Sequence, residues 1–168
     1  AGFAGRGGSR ATRRVGEGGF VFGNLGATRS RGLEVEGYLS PRKGLLLSAN
    51  YTYNDAEDKD LGTRLPGVAR HKGNVGATWS TSRIALSANA NYVGERPQPD
   101  EGPDDRPLDA YTFVDASFRV MGLAKGLELE LTAHNLLDQE FEDAFDGAEI
   151  PGELPGEGVS VLGSVRYR

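Results

Sequence analysis

The residues of this chain that could carry chemistry are few, and their spacing argues against catalysis. It has two histidines, His71 and His134, and no cysteine. With no thiol there is no thiolate metal site, no disulfide framework and no cysteine nucleophile. The histidines stand on different segments, in neither metal-ligand nor triad spacing, and no serine sits in Gly-x-Ser-x-Gly. Carboxylates are the abundant reactive type. Asp55, Glu57, Asp58 and Asp60 fall in one short run that resembles a calcium loop, and hard cations want such oxygens. Yet Gly62 comes two positions too late for an EF-hand and the closing bidentate Glu is missing, so surface calcium is the most this run offers. The chain is expected not to be an enzyme and to need no cofactor.

What the carboxylates do show is where the connections lie. Segments 54–62, 95–109 and 138–157 hold 18 of the 24 Asp and Glu residues, against Lys59, Arg96 and Arg106. Between them come tight, basic or neutral connections: Ser40-Pro41-Arg42-Lys43-Gly44, Ser80-Thr81-Ser82-Arg83 and Gly122-Leu123-Ala124-Lys125-Gly126. The two kinds alternate along the chain. An up-and-down meander puts alternate connections at opposite ends, so one end carries long acidic loops and the other short turns. That is the layout of an outer-membrane β-barrel. Segment 138–157 has eight acidic residues and no Lys or Arg, and self-repulsion predicts that it is mobile unless a cation binds.

The segments between the connections alternate with period two, the mark of half-buried strands. A first strand is expected over 19–26. From 31 to 40, Leu33, Val35, Gly37 and Leu39 oppose Glu34, Glu36 and Tyr38. From 45 to 54, Leu45, Leu47, Ala49, Tyr51 and Tyr53 oppose Ser48, Asn50, Thr52 and Asn54. The pattern recurs over 68–79, 83–94, 110–121, 127–136 and 158–168. Ten residues rising about 3.4 Å each, tilted about 40°, cross roughly 26 Å, the height of an outer-membrane apolar band. Alternation alone also suits a soluble β-sandwich or lipocalin-like module. Aromatics favour the membrane: Tyr51, Tyr53 and Tyr92 flank the acidic loops, while Trp79, Phe118 and Tyr167 flank the short turns on the apolar side, as interfacial girdles do.

Other classes fall away. A charge of −5 and a hydrophobic share of 38% mark neither a disordered chain nor a nucleic-acid binder. The Gly/Arg-rich stretch 1–18 reads as a flexible loop or frayed strand end, and its one Arg6-Gly7-Gly8 does not make an RNA-binding region. No run approaches the roughly 18 to 20 apolar residues of a membrane helix. A chain opening at Ala1 without Met or a signal peptide is expected to be a mature or truncated product.

The C-terminal third resembles a known family. Leu108-Asp109-Ala110-Tyr111-Thr112-Phe113-Val114-Asp115 leads through a short turn to Leu127-Glu128-Leu129-Glu130-Leu131-Thr132-Ala133-His134, then Asn135-Leu136-Leu137-Asp138-Gln139-Glu140-Phe141, a loop and a last strand. This is similar to the barrel end of TonB-dependent outer-membrane receptors, with Asn135, Leu136, Asp138 and Phe141 in the motif positions. Asn24-Leu25-Gly26 leading into Arg31-Gly32-Leu33-Glu34-Val35-Glu36 resembles a second element of that family, and Tyr51-Thr52-Tyr53-Asn54-Asp55-Ala56 and Leu65-Pro66 follow in order. The resemblance covers about residues 19–168. It implies an all-β, antiparallel transmembrane barrel in the bacterial outer membrane, seven to eight strands of which lie here. They would be a segment of a larger barrel or a small closed one with a structural or binding role.

The resemblance further implies uptake of an iron chelate, cobalamin or similar nutrient, with lipid, the TonB complex and the nutrient as partners. The plug that engages TonB has no counterpart in this sequence. Glu34, Glu36, Asn50, Asn89, Asn91, Asp115, Glu128 and Glu130 would face the lumen. The family ends on an aromatic residue, whereas Arg168 is last here and Tyr167 precedes it. Asn135 and Asp138 are expected to shape a turn rather than touch a ligand, and Leu136 and Leu137 to mark a bulge or strand exit.

Overall fold

A computed structural model describes residues 2–14, 20–98, 107–143 and 154–167, and among them every regular element is a strand. In chain order these are β1 (Gly2–Arg14), β2 (Phe20–Arg42), β3 (Leu45–Asp58), β4 (Thr63–Arg64), β5 (His71–Ser80), β6 (Ile84–Val93), β7 (Tyr111–Met121), β8 (Leu127–His134), β9 (Glu142–Asp143), β10 (Leu154–Pro155) and β11 (Ser160–Tyr167). The main sheet runs β1-β2-β3-β5-β6-β7-β8-β11, with β4 on the outer end of β3, and β9 pairs with β10. Neighbours in the main sheet are antiparallel. The sheet is open, with β1 and β11 as its edges. A small closed barrel is therefore not what these strands form.

The alternation predicted from sequence becomes a register-continuous pair of faces. Cross-strand partners share a face. Leu39, Leu47, Ala77, Ala88, Ala116 and Ala133 line up in one row, and Leu45, Trp79, Leu86, Phe118 and Leu131 in another. Among the described residues nothing covers this apolar face. Leu86 is 48% exposed, Leu129 38% and Val161 63%, while Leu47 and Val114 are half-buried. Among the described residues the buried apolar side chains are Ala56, Ala69 and Leu108, all at the acidic-loop end. A sandwich would bury its apolar rows in a dry interior. Here those rows face outward, which only lipid makes favourable.

Two expectations at the N-terminal side are corrected. The strands placed over 19–26 and 31–40 are one strand, β2. Residues 27–30, Ala-Thr-Arg-Ser, break the apolar period but not the ladder, because Thr28 to Ser30 pair with both β1 and β3. The stretch read as a flexible 1–18 is largely β1, paired to β2 from Gly2↔Leu33 to Arg14↔Phe20 with a register shift between Gly8 and Arg10. Backbone pairing needs no side-chain pattern, and a Gly/Arg-rich strand shows none. Residues 15–19 lie outside the described residues. So do Arg168, 99–106 of the second acidic loop, and 144–153, on which the expected mobility of 138–157 chiefly rests.

The short-turn end is sharply built. β2 and β3 meet at Lys43-Gly44, where Gly44 has φ +80° and its carbonyl accepts from Ser80 N at 2.7 Å. A Cβ on Gly44 would collide with the Ser80 carbonyl oxygen, so this turn requires glycine.

Candidate functional site

The polar face carries the residues singled out from sequence, and the register places all eight on it. Glu36, Asn50, Asn74 and Asn91 form one row across β2, β3, β5 and β6. Within it Asn74 Nδ2 donates to Asn91 Oδ1 at 2.6 Å. Asn89 pairs with Asp115. Glu130 accepts from Arg119 Nη2 at 2.7 Å, and Glu128 stands 3.8 Å from Arg166. Thr78 donates to Ser87 at 3.3 Å. Neighbouring strands thus answer polar atoms with polar atoms, which a face shielded from lipid requires. The eight do not converge. Glu34 lies in the Thr52 row near the acidic end, and Glu128 lies in the Met121 row near the short turns. Leu46 and Leu162, opposite Thr78 and Thr132, are apolar exceptions on this face.

Side chains do converge at the outer rim. Tyr111 and Phe113 lie on the polar face, and Phe141 stacks on Tyr111 with ring centroids 4.4 Å apart and planes 20° from parallel. Arg96 sits over the Tyr111 ring, its guanidinium 5.1 Å from the centroid, and donates to the Glu142 carbonyl. Such a cation on an aromatic face adds about 0.5 to 2 kcal/mol. The Arg96–Leu108 backbone pair closes the base of the 95–109 loop beneath them. Sequence reasoning missed this cluster apart from Phe141. The available signal was two aromatics, Tyr111 and Phe113, on the polar parity of β7.

The Asn-Leu-Leu-Asp motif is a clasp. Asn135 and Asp138 both have φ +47°, which Asn and Asp tolerate in turns. Asn135 Nδ2 donates to the Gln139 and Glu157 carbonyls, each at 3.0 Å, and its Oδ1 accepts from Gln139 N at 2.9 Å. Asp138 Oδ1 accepts from Val159 N at 3.0 Å. The pair therefore ties the two ends of the 138–157 loop together. Asp115 joins from β7, accepting from Asn135 N at 3.1 Å and lying 3.4 Å from His134 Nδ1. Leu136 and Leu137 sit at the strand exit just past β8, with Leu136 N still bonded to the Val114 carbonyl.

The four calcium candidates are not gathered into a ligand set. Asp55 is held by Arg70, at 2.9 Å through Nε and 2.7 Å through Nη2. Asp58, buried, caps a turn by accepting from Asp60 N and Leu61 N. Glu57 lies in register between Arg29 and Arg64. Among the described residues no three His, Asp or Glu side chains are placed to hold a metal. His71, on the apolar face, pairs with the Tyr51 hydroxyl at 2.7 Å.

Comparison with known proteins agrees with this architecture. The family model described as TonB dependent receptor-like, beta-barrel, matches residues 3–136. An iron-regulated outer membrane virulence protein of Vibrio cholerae is 31% identical over 70% of this chain and 19% of its own length. A vitamin B12 transporter of Vibrio vulnificus is 30% identical over 86% of this chain and 22% of its own length. Among solved structures, the copper transporter OprC superposes on 99% of the chain and 28% of itself with TM-score 0.77 at 15% identity. The ferric preacinetobactin receptor BauA of Acinetobacter baumannii covers 99% of the chain and 26% of itself, with TM-score 0.73 at 20% identity. The chain spans about a fifth of the length of the curated relatives it matches. The matched family is one of receptors, and the solved relatives named here are a transporter and a receptor. The open sheet, its outward apolar face and the family match together establish that this chain belongs to the TonB-dependent receptors, as a run of strands from their outer-membrane β-barrel.

Proposed function

We propose that this chain is the C-terminal barrel part of an outer-membrane transporter that takes up a scarce nutrient, an iron chelate, cobalamin or a similar compound, with energy delivered through TonB. The observation that carries the reading is the continuous polar face of an open sheet in this family. A wall of that kind, completed by further strands, encloses a polar path while its other face stays in lipid. Glu34, Glu36, Asn50, Asn89, Asn91, Asp115, Glu128 and Glu130 line the path in this reading. The rim cluster of Arg96, Tyr111, Phe113 and Phe141 holds the loops at its mouth. Coupling to TonB belongs to a plug domain that this sequence does not include.

Energy-dependent uptake tests the proposal. Cells depleted of iron or cobalamin and expressing the complete protein should accumulate the labelled nutrient. Accumulation should collapse when the gene is deleted or the proton-motive force is dissipated. Unchanged uptake of every iron chelate and corrinoid offered, after deletion, would overturn it.

A further inference from the structure

The β1–β2 hairpin stands above the rest of the sheet. β3 accompanies β2 only as far as the Thr28↔Asp58 pair, and Lys59 N donates to the Ala27 carbonyl at 2.9 Å just beyond it. β1 stays paired to β2 on to Arg14↔Phe20. From Thr28 to Phe20 the two-stranded ribbon rises about 27 Å more, at roughly 3.4 Å per residue. An antiparallel strand directs its backbone groups to both sides. On the side away from β1, residues 20–26 have no strand beside them among the described residues. Open edges are ordinarily blunted by charge or proline. Phe20-Val21-Phe22-Gly23-Asn24-Leu25-Gly26 has neither. It is the kind of edge that accepts a strand from another chain.

The ribbon is also basic. Residues 1–33 hold Arg6, Arg10, Arg13, Arg14, Arg29 and Arg31 against Glu17 alone. The neighbouring segment 54–70 adds Lys59, Arg64 and Arg70 against Asp55, Glu57, Asp58 and Asp60. Nine basic residues thus stand against five carboxylates, an excess of four positive charges in a chain of net charge −5. Three of those carboxylates are already engaged. Asp55 is held by Arg70, Glu57 lies in register between Arg29 and Arg64, and Asp58 caps its own turn. The register also sets Arg6 opposite Arg29, and like charges at paired positions destabilise a ladder. An anion at the ribbon relieves that repulsion.

We propose that the β2 edge over 20–26 receives an extended, carboxylate-rich segment of a partner protein as an added strand, in the place above Asp58 where β3 has ended, and that the ribbon's arginines select it by charge. The two observations together decide the occupant. A nucleic acid or an acidic polysaccharide answers the charge but has no peptide groups for the edge. A second copy of the ribbon has the peptide groups but doubles the positive excess. The chain's own acidic segment 95–109 carries Pro97, Pro99, Pro103 and Pro107, which remove ladder donors. The strand acceptor works whichever nutrient the barrel carries.

Fluorescence anisotropy and hydrogen exchange on the complete protein in nanodiscs, with a labelled octapeptide alternating valine and glutamate, test this. The peptide should bind at low salt, weaken as salt rises, and slow exchange of the 20–26 amides by about tenfold. Methylating its amide nitrogens, or replacing its glutamates by lysine, should abolish binding. So should replacing residues 9–26 of the protein by Asn-Gly, which closes Gly8 and Ala27 in a two-residue turn. Arg10→Gln with Arg14→Gln should weaken binding about threefold per arginine. Heat-modifiable migration checks the folding of each variant, and the arginine pair serves if the shortened ribbon does not fold. No slowing of exchange at 20–26, equal binding of the methylated or the lysine peptide, affinity untouched by the arginine changes, or a wild-type dimer joined at this edge would each overturn the proposal.

Discussion

Asn135 is 5% exposed and makes three side-chain hydrogen bonds from a backbone with positive φ, so its buried amide group finds partners in the Gln139 and Glu157 carbonyls and the Gln139 N–H at the base of the last acidic loop. Replacing it separates the two contributions. Asn135→Gly keeps the left-handed turn accessible and loses only the bonds. Asn135→Ala loses the bonds and also strains the turn. The complete barrel should lose about 2 kcal/mol of stability with glycine and about 1 kcal/mol more with alanine, read as a shift in the urea midpoint of refolding into vesicles. Equal effects of the two variants would show that the turn conformation carries no strain. The motif's spacing was legible in sequence, and so was the turn it makes, because Asn and Asp are the residues that bond to nearby backbone. The partners at Gln139, Glu157 and Val159 were not legible, since a clasp across a loop of this length leaves no local pattern.

At the scale of the strands, the two faces differ in solvent, and adjacent residues should report it. Ala88 lies in the middle apolar row, between Ala77 and Ala116, and Asn89 beside it faces Asp115 across the ladder. Ala88→Lys puts a charge against hydrocarbon near the bilayer midplane and should cost about 2 to 4 kcal/mol. Asn89→Lys places the same charge on the polar face next to a carboxylate, and its cost should stay below about 1 kcal/mol. Urea titration of the complete barrel in vesicles compares them, and a larger loss for Asn89→Lys would invert the assignment of faces. Period-two spacing revealed six of the eight main strands within a few residues of their ends. It failed at Ala27-Thr28-Arg29-Ser30, where β2 continues through residues with no apolar alternation, and over Gly2–Arg14, where glycine and arginine give a strand no face at all. Side-chain pattern identifies the strands whose face matters to lipid. Backbone hydrogen bonds extend the others without it.

For the whole molecule, the unsatisfied edges of β1 and β11 govern behaviour. Each presents a row of backbone donors and acceptors, and in hydrocarbon each unsatisfied group costs several kcal/mol. Further barrel strands supply partners for them. A preparation of residues 1–168 alone has only its own two edges or those of other copies. Closing β1 on β11 would bend eight strands that superpose on a far wider barrel, and β1 pairs with β2 in a register that carries both strands beyond the outer end of β3. Such a preparation refolded into detergent should therefore form mixed oligomers or aggregates, migrate on gels without a heat-modifiable monomer band, and open no discrete channel in planar bilayers. The complete protein under the same conditions should give the heat-modifiable band. A compact, heat-modifiable monomer of residues 1–168 with slow amide exchange in β1 and β11 would mean that the edges find each other. The lumen would then be a narrow one filled by Asn50, Asn74, Asn91 and the Arg119–Glu130 pair rather than a wall section of a transport path.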